Sequence, residues 1–284
     1  MLVSVIVPVR NGASDLADQL DALASQRYDG TWELLLVDNG STDRTLEVAA
    51  GFRERLPMRV VDGSAARGSA AARNLAAAAA RGDLLLFCDH DDVVADLWIT
   101  AMVRALEAHP AAGGALELDS LNRDLYPDMR RGVWTELPRV EGFLEYCPTA
   151  NFGIRTGAFH ALGGFDTAFL VAYDVDICLR LQLAGFELAF AADAVVSYRD
   201  RRSLPALVKQ RFRYGYERPL LYRRHRGSGL PRTAVVPGLV DLLRLLPLAA
   251  RALPSPEGRR WWLRTGAQRV GRLAGSVRYR IVYL

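Results

Sequence analysis

Apolar residues recur in short runs through the first hundred positions, at 3–7 (VSVIV), 33–37 (ELLLV), 58–61 (MRVV) and 84–88 (LLLFC), each of strand length. Between them the spacing turns helical. Ser14 ahead of Leu16, Leu20 and Leu23 predicts one helix, and Ser41 or Thr42 ahead of Leu46, Val48 and Phe52 predicts a second. The alanine-rich stretch from Ser69 to Ala80 predicts a third. Strand and helix alternate strictly, which predicts βαβ units and an α/β fold: a mostly parallel, Rossmann-like sheet flanked by helices on both faces.

Ligands of such sheets bind beyond the carboxyl ends of the strands, so the strand ends are where chemistry is expected. The first run leads into Pro8-Val9-Arg10-Asn11-Gly12, the second into Asp38-Asn39-Gly40-Ser41-Thr42-Asp43, the third into Asp62-Gly63 and the fourth into Asp89-His90-Asp91-Asp92. Three of the four runs finish on an aspartate. Carboxylates gathered on one edge repel one another unless a cation or a hydroxyl-rich ligand joins them. Asp89 and Asp91 are hard oxygen donors at a spacing that suits Mg²⁺ or Mn²⁺, with a diphosphate and water completing the shell. An acidic turn capping a helix near Asp96 accounts more readily for an isolated D-x-D, and His90 is a softer donor that reads as a spacer.

The chain has 284 residues, of which 50% are hydrophobic, enough for one large domain and an appendage. Cys88, Cys147 and Cys178 are odd in number and widely spaced, which predicts reduced thiols and a cytoplasmic setting. The N-terminal run reaches Pro8 and Arg10 too soon for a signal peptide. Charge is divided unevenly: residues 1–198 carry 16 Arg against 28 acids, and residues 199–284 carry 20 Lys or Arg against four. A basic tail on an acidic body suits an anionic partner such as a lipid surface or a phosphorylated ligand. The most apolar tail segment, 234–253, is interrupted by Pro237, Asp241, Arg244, Pro247 and Arg251, so an amphipathic helix or pair on a membrane or against the core is expected and not a span. The aromatics of the tail suit packing, against the core or in a homodimer, ahead of a membrane surface; nucleic acid is not expected.

Five stretches, VSVIVPVRN, LLLVDNGSTDRT, RGSAAARNLAAAAARGDLLLFCDHDD, NFGIRTGAFHALGGFD and DVDICLRLQLAGFELAF, resemble in order and spacing the blocks of glycosyltransferase family 2, over about residues 2–220. The resemblance implies a GT-A fold over 1–220, with 221–284 as a basic helical C-terminal region. It also implies an inverting, metal-assisted and non-processive transfer of a sugar from a nucleotide-diphosphate donor, UDP first among them, to an acceptor hydroxyl. Pro8, Val9, Asn11, Asp38, Arg73 and Asn74 fall on donor-binding positions, with Asp89 and His90 beside them. Asp89 and Asp91 match the metal-binding D-x-D, and Asp174 matches the catalytic base. Asn151, Asp176, Tyr198, Arg211 and Arg213 are the candidates for the acceptor or the diphosphate.

Two departures stand out. The family's Glu-Asp is Tyr173-Asp174 here, and the histidine that often follows the last core strand is replaced in AVVSYRD by Tyr198. Gln210, Arg213 and Tyr214 approach the Q-x-x-R-W signature of processive members, yet no spanning segment accompanies them. The absence of G-x-G-x-x-G after the first strand argues against a Rossmann dehydrogenase. The alternatives are a nucleotide-sugar-binding protein without turnover and a nucleotidyltransferase, for which Arg10-Asn11-Gly12 is thin support.

Overall fold

The computed structural model describes residues 1–127, 129–233 and 235–284. Ala234 and the side chains of Pro237 and Asp241, which entered the reading of the tail, lie outside the described residues. Strand β1 (Leu2–Val9) is apolar on both sides and is paired on both edges, in parallel, by β2 (Thr31–Asp38) and β4 (Leu84–Cys88). β3 (Met58–Asp62) extends the sheet beyond β2. On the other side follow β7 (Asn151–Arg155), β6 (Ala111–Glu117), β8 (Leu188–Ser197) and the two-residue β5 (Val93–Val94), giving the order β3-β2-β1-β4-β7-β6-β8-β5. Only β7 and β5 run against the common direction. Chain order reverses between β1 and β4, which makes the gap beyond their carboxyl ends the switch point where a ligand fits.

Val3, Val5 and Val7 of β1 face one layer and Ile6 the other, following the period of two. The first layer holds α1 (Leu16–Ala24), α2 (Thr45–Ala50) and α4 (Trp98–Ala108). The second holds α3 (Ser69–Ala79), α5 (Thr156–Ala161) and α6 (Tyr173–Leu183), around Phe87, Phe152, Phe159 and Phe165. The alanines of α3 leave little between helix and sheet. α1 and α2 start one to three residues later than the capping residues suggest. Ser14 bonds Asp15, Asp43 accepts from the Thr45 N–H, and Ser41 and Thr42 bond Asp38 and Asn11 instead of capping α2. The three cysteines are free and buried, with Cys147 and Cys178 sulfurs 3.8 Å apart.

The tail is packed on the body. α7 (Leu204–His225) crosses α9 (Pro256–Arg278) so closely that a Cβ on Gly215 would collide with the Gln268 carbonyl, one on Gly271 with that of Phe212 and one on Gly275 with that of Tyr216. α8 (Val235–Ala252) lies on α9, where the Trp262 indole donates to the Leu245 carbonyl at 2.8 Å. Residue 220, the expected domain boundary, falls inside α7. Much of the charge asymmetry is resolved internally: Arg201 pairs with Asp91, Arg202 with Asp124, Arg224 with Asp166, Arg199 with Asp15 and Asp18, and Arg272 with Glu141.

α7 also holds α6. The buried Glu217 carboxylate accepts the N–H groups of Leu170, Val171 and Ala172 at 2.6, 2.9 and 2.9 Å, directly before the helix begins. One turn into α6, Asp176 is locked between Arg180 Nε at 2.7 Å and His225 Nε2 at 2.8 Å. Gly271→Leu is expected to destabilise the chain by about 1–3 kcal/mol through overpacking, measured by urea unfolding. Glu217→Ala leaves the buried Ala172 N–H and the part-buried N–H groups of Leu170 and Val171 without acceptors, at about 1–3 kcal/mol for the buried one. Hydrogen exchange of amides 170–176 should therefore accelerate in that variant more than exchange in β1.

Candidate active site

Two loops at the switch point are laced together. Asn11 adopts the left-handed region at φ +52°, and its Oδ1 accepts the Thr42 N–H at 2.8 Å while its own N–H donates to Ser41 Oγ at 3.0 Å. Asn tolerates this backbone better than most residues with a side chain. Asp38 closes β2 by accepting the Ser41 N–H at 3.0 Å. Pro8 and Val9 are buried, and the Val9 carbonyl accepts the Asn39 N–H at 2.8 Å, so these two offer the crevice backbone and shape. His90 packs directly over Gly12, where a Cβ would strike its ring.

Arg73 reaches from α3 with only 2% of its surface exposed and joins the two halves of the site. Nη2 pairs with Asp89, and Nη1 donates to the Tyr173 hydroxyl at 2.9 Å. Tyr173, standing where the family has a glutamate, also meets Thr149 Oγ1 at 3.3 Å. The next residue, Asp174, lies in the first turn of α6 and accepts the Val175 N–H at 2.7 Å. Burial pushes its carboxyl up to about 7, opposed by the Val175 N–H, Arg73 and the Thr149 N–H and reinforced by Asp89. A carboxylate tuned so close to neutrality is matched to accepting a proton.

The turn after β4 is gripped by the segment after β8. Arg201 pairs with Asp91 at 2.6 Å, Arg199 donates to the Asp91 carbonyl at 2.7 Å, and the Arg199 N–H donates to Asp92 Oδ1 at 2.7 Å. Asp92 is buried, its Oδ2 is without a partner, and burial followed by the charges of Asp91 and Asp89 holds its carboxyl well above the usual range. Arg260 of α9 in turn donates to the carbonyls of Arg201 and Arg202. Tyr214 of α7 stands on the same crevice: burial raises its hydroxyl, Arg211 lowers it, and Asp174, Tyr173 and Asp89 add to the rise. The Arg211 guanidinium lies 5.3 Å from the Tyr214 ring centre, and the half-buried Tyr198 lies beside both, its hydroxyl raised by burial and by Tyr214.

Several expected site residues do not present their side chains to the crevice. Asn74 is spent on Phe165, accepting its N–H at 2.9 Å and donating to its carbonyl at 2.8 Å. Asn151 has no exposed surface and is fully satisfied by the Trp98 indole and the carbonyls of Ala115 and Ala194, each at 2.8 Å. Asp176 is likewise sealed between Arg180 and His225. Asn74, expected on the donor side, and Asn151 and Asp176, expected toward the acceptor or the diphosphate, thus have their side chains engaged elsewhere, and Arg213 is exposed while Arg211 and Tyr214 face inward. Arg201, Arg260 and Glu217 were missed. Their signal in the sequence is faint, because an arginine among 20 basic tail residues and one glutamate on a helix carry no motif.

Comparison with known proteins bears on the family and the fold. The model of glycosyl transferase family 2 matches residues 4–162, more than half of the chain, and that of glycosyl transferase family group 2 matches 142–264. Glycosyltransferase AglE of Haloferax volcanii is 31% identical over 221 residues, covering 75% of this chain and 71% of that protein. The pre-mycofactocin glycosyltransferase of Mycobacterium tuberculosis is 26% identical over 242 residues, covering 81% of this chain, which spans only 49% of its length. Among solved structures, the mannosyltransferase PcManGT of Pyrobaculum calidifontis, in complex with GDP-Man and Mn²⁺, superposes with a TM-score of 0.60 at 19% identity, covering 97% of this chain and 86% of that one. S. aureus TarS 1-349 with UDP-GlcNAc gives 0.56 at 17% identity, covering 100% and 93%. The sheet order and flanking helices are those of the GT-A fold these structures share, and the chain belongs to glycosyltransferase family 2.

Proposed function

We propose that the chain transfers a sugar from a nucleotide-diphosphate donor to an acceptor hydroxyl with inversion, Asp174 acting as general base. The observation that carries this reading is the Asp89–Arg73–Tyr173 chain, which ties the nucleotide end of the sheet to a carboxyl whose pKa lies at about 7 one residue further on. Asp174 takes the acceptor proton as the acceptor oxygen attacks the anomeric carbon, and the bond to the diphosphate oxygen breaks. A single displacement with one base and no covalent intermediate inverts the centre. Pro8, Val9, Asn11 and Asp38 line the nucleotide side, and Arg201, Arg211 and Tyr214 are the groups nearest to hand for the diphosphate and acceptor. Donors named for the structural neighbours, UDP-GlcNAc and GDP-Man, support the donor class, with UDP the first candidate. Residues 1–220 form the catalytic domain in this reading and 221–284 a basic helical region that braces it.

Asp89 and Asp91 fit a Mg²⁺- or Mn²⁺-type ion as two of its ligands. Both are hard oxygen donors, and the Arg201 side chain on Asp91 is 44% exposed, so displacing it from the carboxylate costs only about 1 kcal/mol or less. No group of three or more His, Cys, Asp or Glu suited to a metal occurs among the described residues, which leaves the other positions to water and diphosphate. When bound, the ion supplies neutralisation of the charge that grows on the leaving diphosphate.

Asp174→Asn is expected to lower kcat by about 10²–10⁴ while nucleotide-induced thermal stabilisation persists, and equal loss of both would remove the base assignment. Because the ionised carboxylate is the active form, wild-type kcat should fall about tenfold per pH unit below a midpoint near 7 and level off above it. Asp91→Ala should abolish metal-dependent nucleotide binding. Arg201→Ala should tighten Mn²⁺ binding to the nucleotide-free protein by about 1.5- to 5-fold, the worth of a half-exposed ion pair, read by electron paramagnetic resonance.

A further inference from the structure

α8 has two faces of different fates. Leu245 and Ala252 are buried against the protein, and the helix is fixed there by the Trp262–Leu245 hydrogen bond. On the opposite side Leu243 is 64% and Leu246 69% exposed, with Val240, Pro247, Ala250 and Leu253 exposed beside them. At about 100° per residue these six positions fall within one continuous stripe along the helix. Scattered surface leucines need no explanation, but a contiguous row pointing away from the body does. The exposed Trp261 lies just beyond, near the start of α9.

Charge selects the occupant. Residues 232–284 hold ten arginines and two acids, and the exposed Arg251 and Arg259 flank the leucine row. A nucleic acid would satisfy the arginines and leave Leu243 and Leu246 in water. A bilayer of anionic lipid satisfies both at once, arginines at the headgroups and leucines in the acyl boundary, with a tryptophan at the level between. Spanning is not involved, since no helix among the described residues is long and apolar enough to cross a membrane.

We propose that the outer face of α8, with Trp261, seats the protein on an anionic lipid surface. Arg260, next to Trp261, donates to the carbonyls of Arg201 and Arg202, so the seated face adjoins the edge of the crevice that carries the Asp91–Arg201 pair. An acceptor presented at a membrane surface would then meet the site; this consequence rests on the reading of the crevice as the transfer site, whereas the seating does not.

The full chain is floated with vesicles of phosphatidylcholine alone and of phosphatidylcholine with 30% phosphatidylglycerol, a fraction set here by the experiment and about that of many anionic test membranes. Binding is expected to the anionic vesicles, weakened in high salt. Leu243→Ser/Leu246→Ser should lower the partition coefficient at least about tenfold, since each loses several buried methylenes, and Arg251→Glu/Arg259→Glu should lower it specifically for anionic vesicles. Both variants change exposed positions, and an unaltered thermal shift with nucleotide certifies that they are folded and that the donor site is intact. The proposal is overturned if wild type binds neither vesicle, if the leucine variant binds as well as wild type, or if neutral and anionic vesicles bind alike. It is also overturned if sedimentation shows a dimer that the leucine variant dissolves while no vesicle is bound.

Discussion

A guanidinium buried inside a protein must be matched by partners, because an unpaired charge there costs several kcal/mol or more. Arg73 is such a group, and its partners lie on two different pieces of the fold: Asp89 at the end of β4 and Tyr173 at the start of α6. Satisfying it therefore fixes the distance between the donor edge and the helix that carries Asp174. The alanine surface of α3 is what makes the reach feasible. Ala70, Ala72, Ala76 and Ala77 let that helix lie close on the sheet, so one arginine side chain spans from its axis to the crevice.

The same logic extends outward. Glu217 and His225 hold α6 from α7, Arg199 and Arg201 hold the D-x-D turn from the segment after β8, and Arg260 holds that segment from α9. The segment after β8, α7 and α9 thus bear on the site through successive charged groups. This gives the opposed charges of body and tail a physical meaning that a count of residues leaves open. Several of the tail arginines neutralise carboxylates of their own chain, while Arg251 on α8 and Arg259 in the first turn of α9 are exposed.

The four early strands and the aspartates that end them were legible in the sequence, because apolar runs of strand length, helical spacing and turn residues all agree there. The switch point follows from those strands alone. Side-chain direction was not legible. Asn151 begins β7 in a motif that suggests a ligand contact, yet the β6–β8 register shifts between Gly114 and Ala115, and the amide is consumed by carbonyls of Ala115 and Ala194 beside that irregularity. For Asn74 and Asp176 likewise, a motif names a position, whereas a rotation of about 100° per helical residue decides which wall it faces. Tyr173 runs the other way. Its loss of a carboxylate looked like a defect, and the structure gives it a hydrogen bond to Arg73 that a phenol makes without adding a second negative charge beside Asp174.

The seam between α7 and α9 is built from Gly215, Gly271 and Gly275, where main chain meets main chain. The closest approaches of this joint depend on three small residues, with Tyr216 and Arg223 of α7 meeting Tyr279 at its far end. Divergence along the outer surfaces of these helices is then cheap in evolutionary terms, since arginines, aromatics and leucines there can be exchanged without reopening the joint. A lineage can retune what the exterior of the tail meets while the braces on the interior are inherited unchanged.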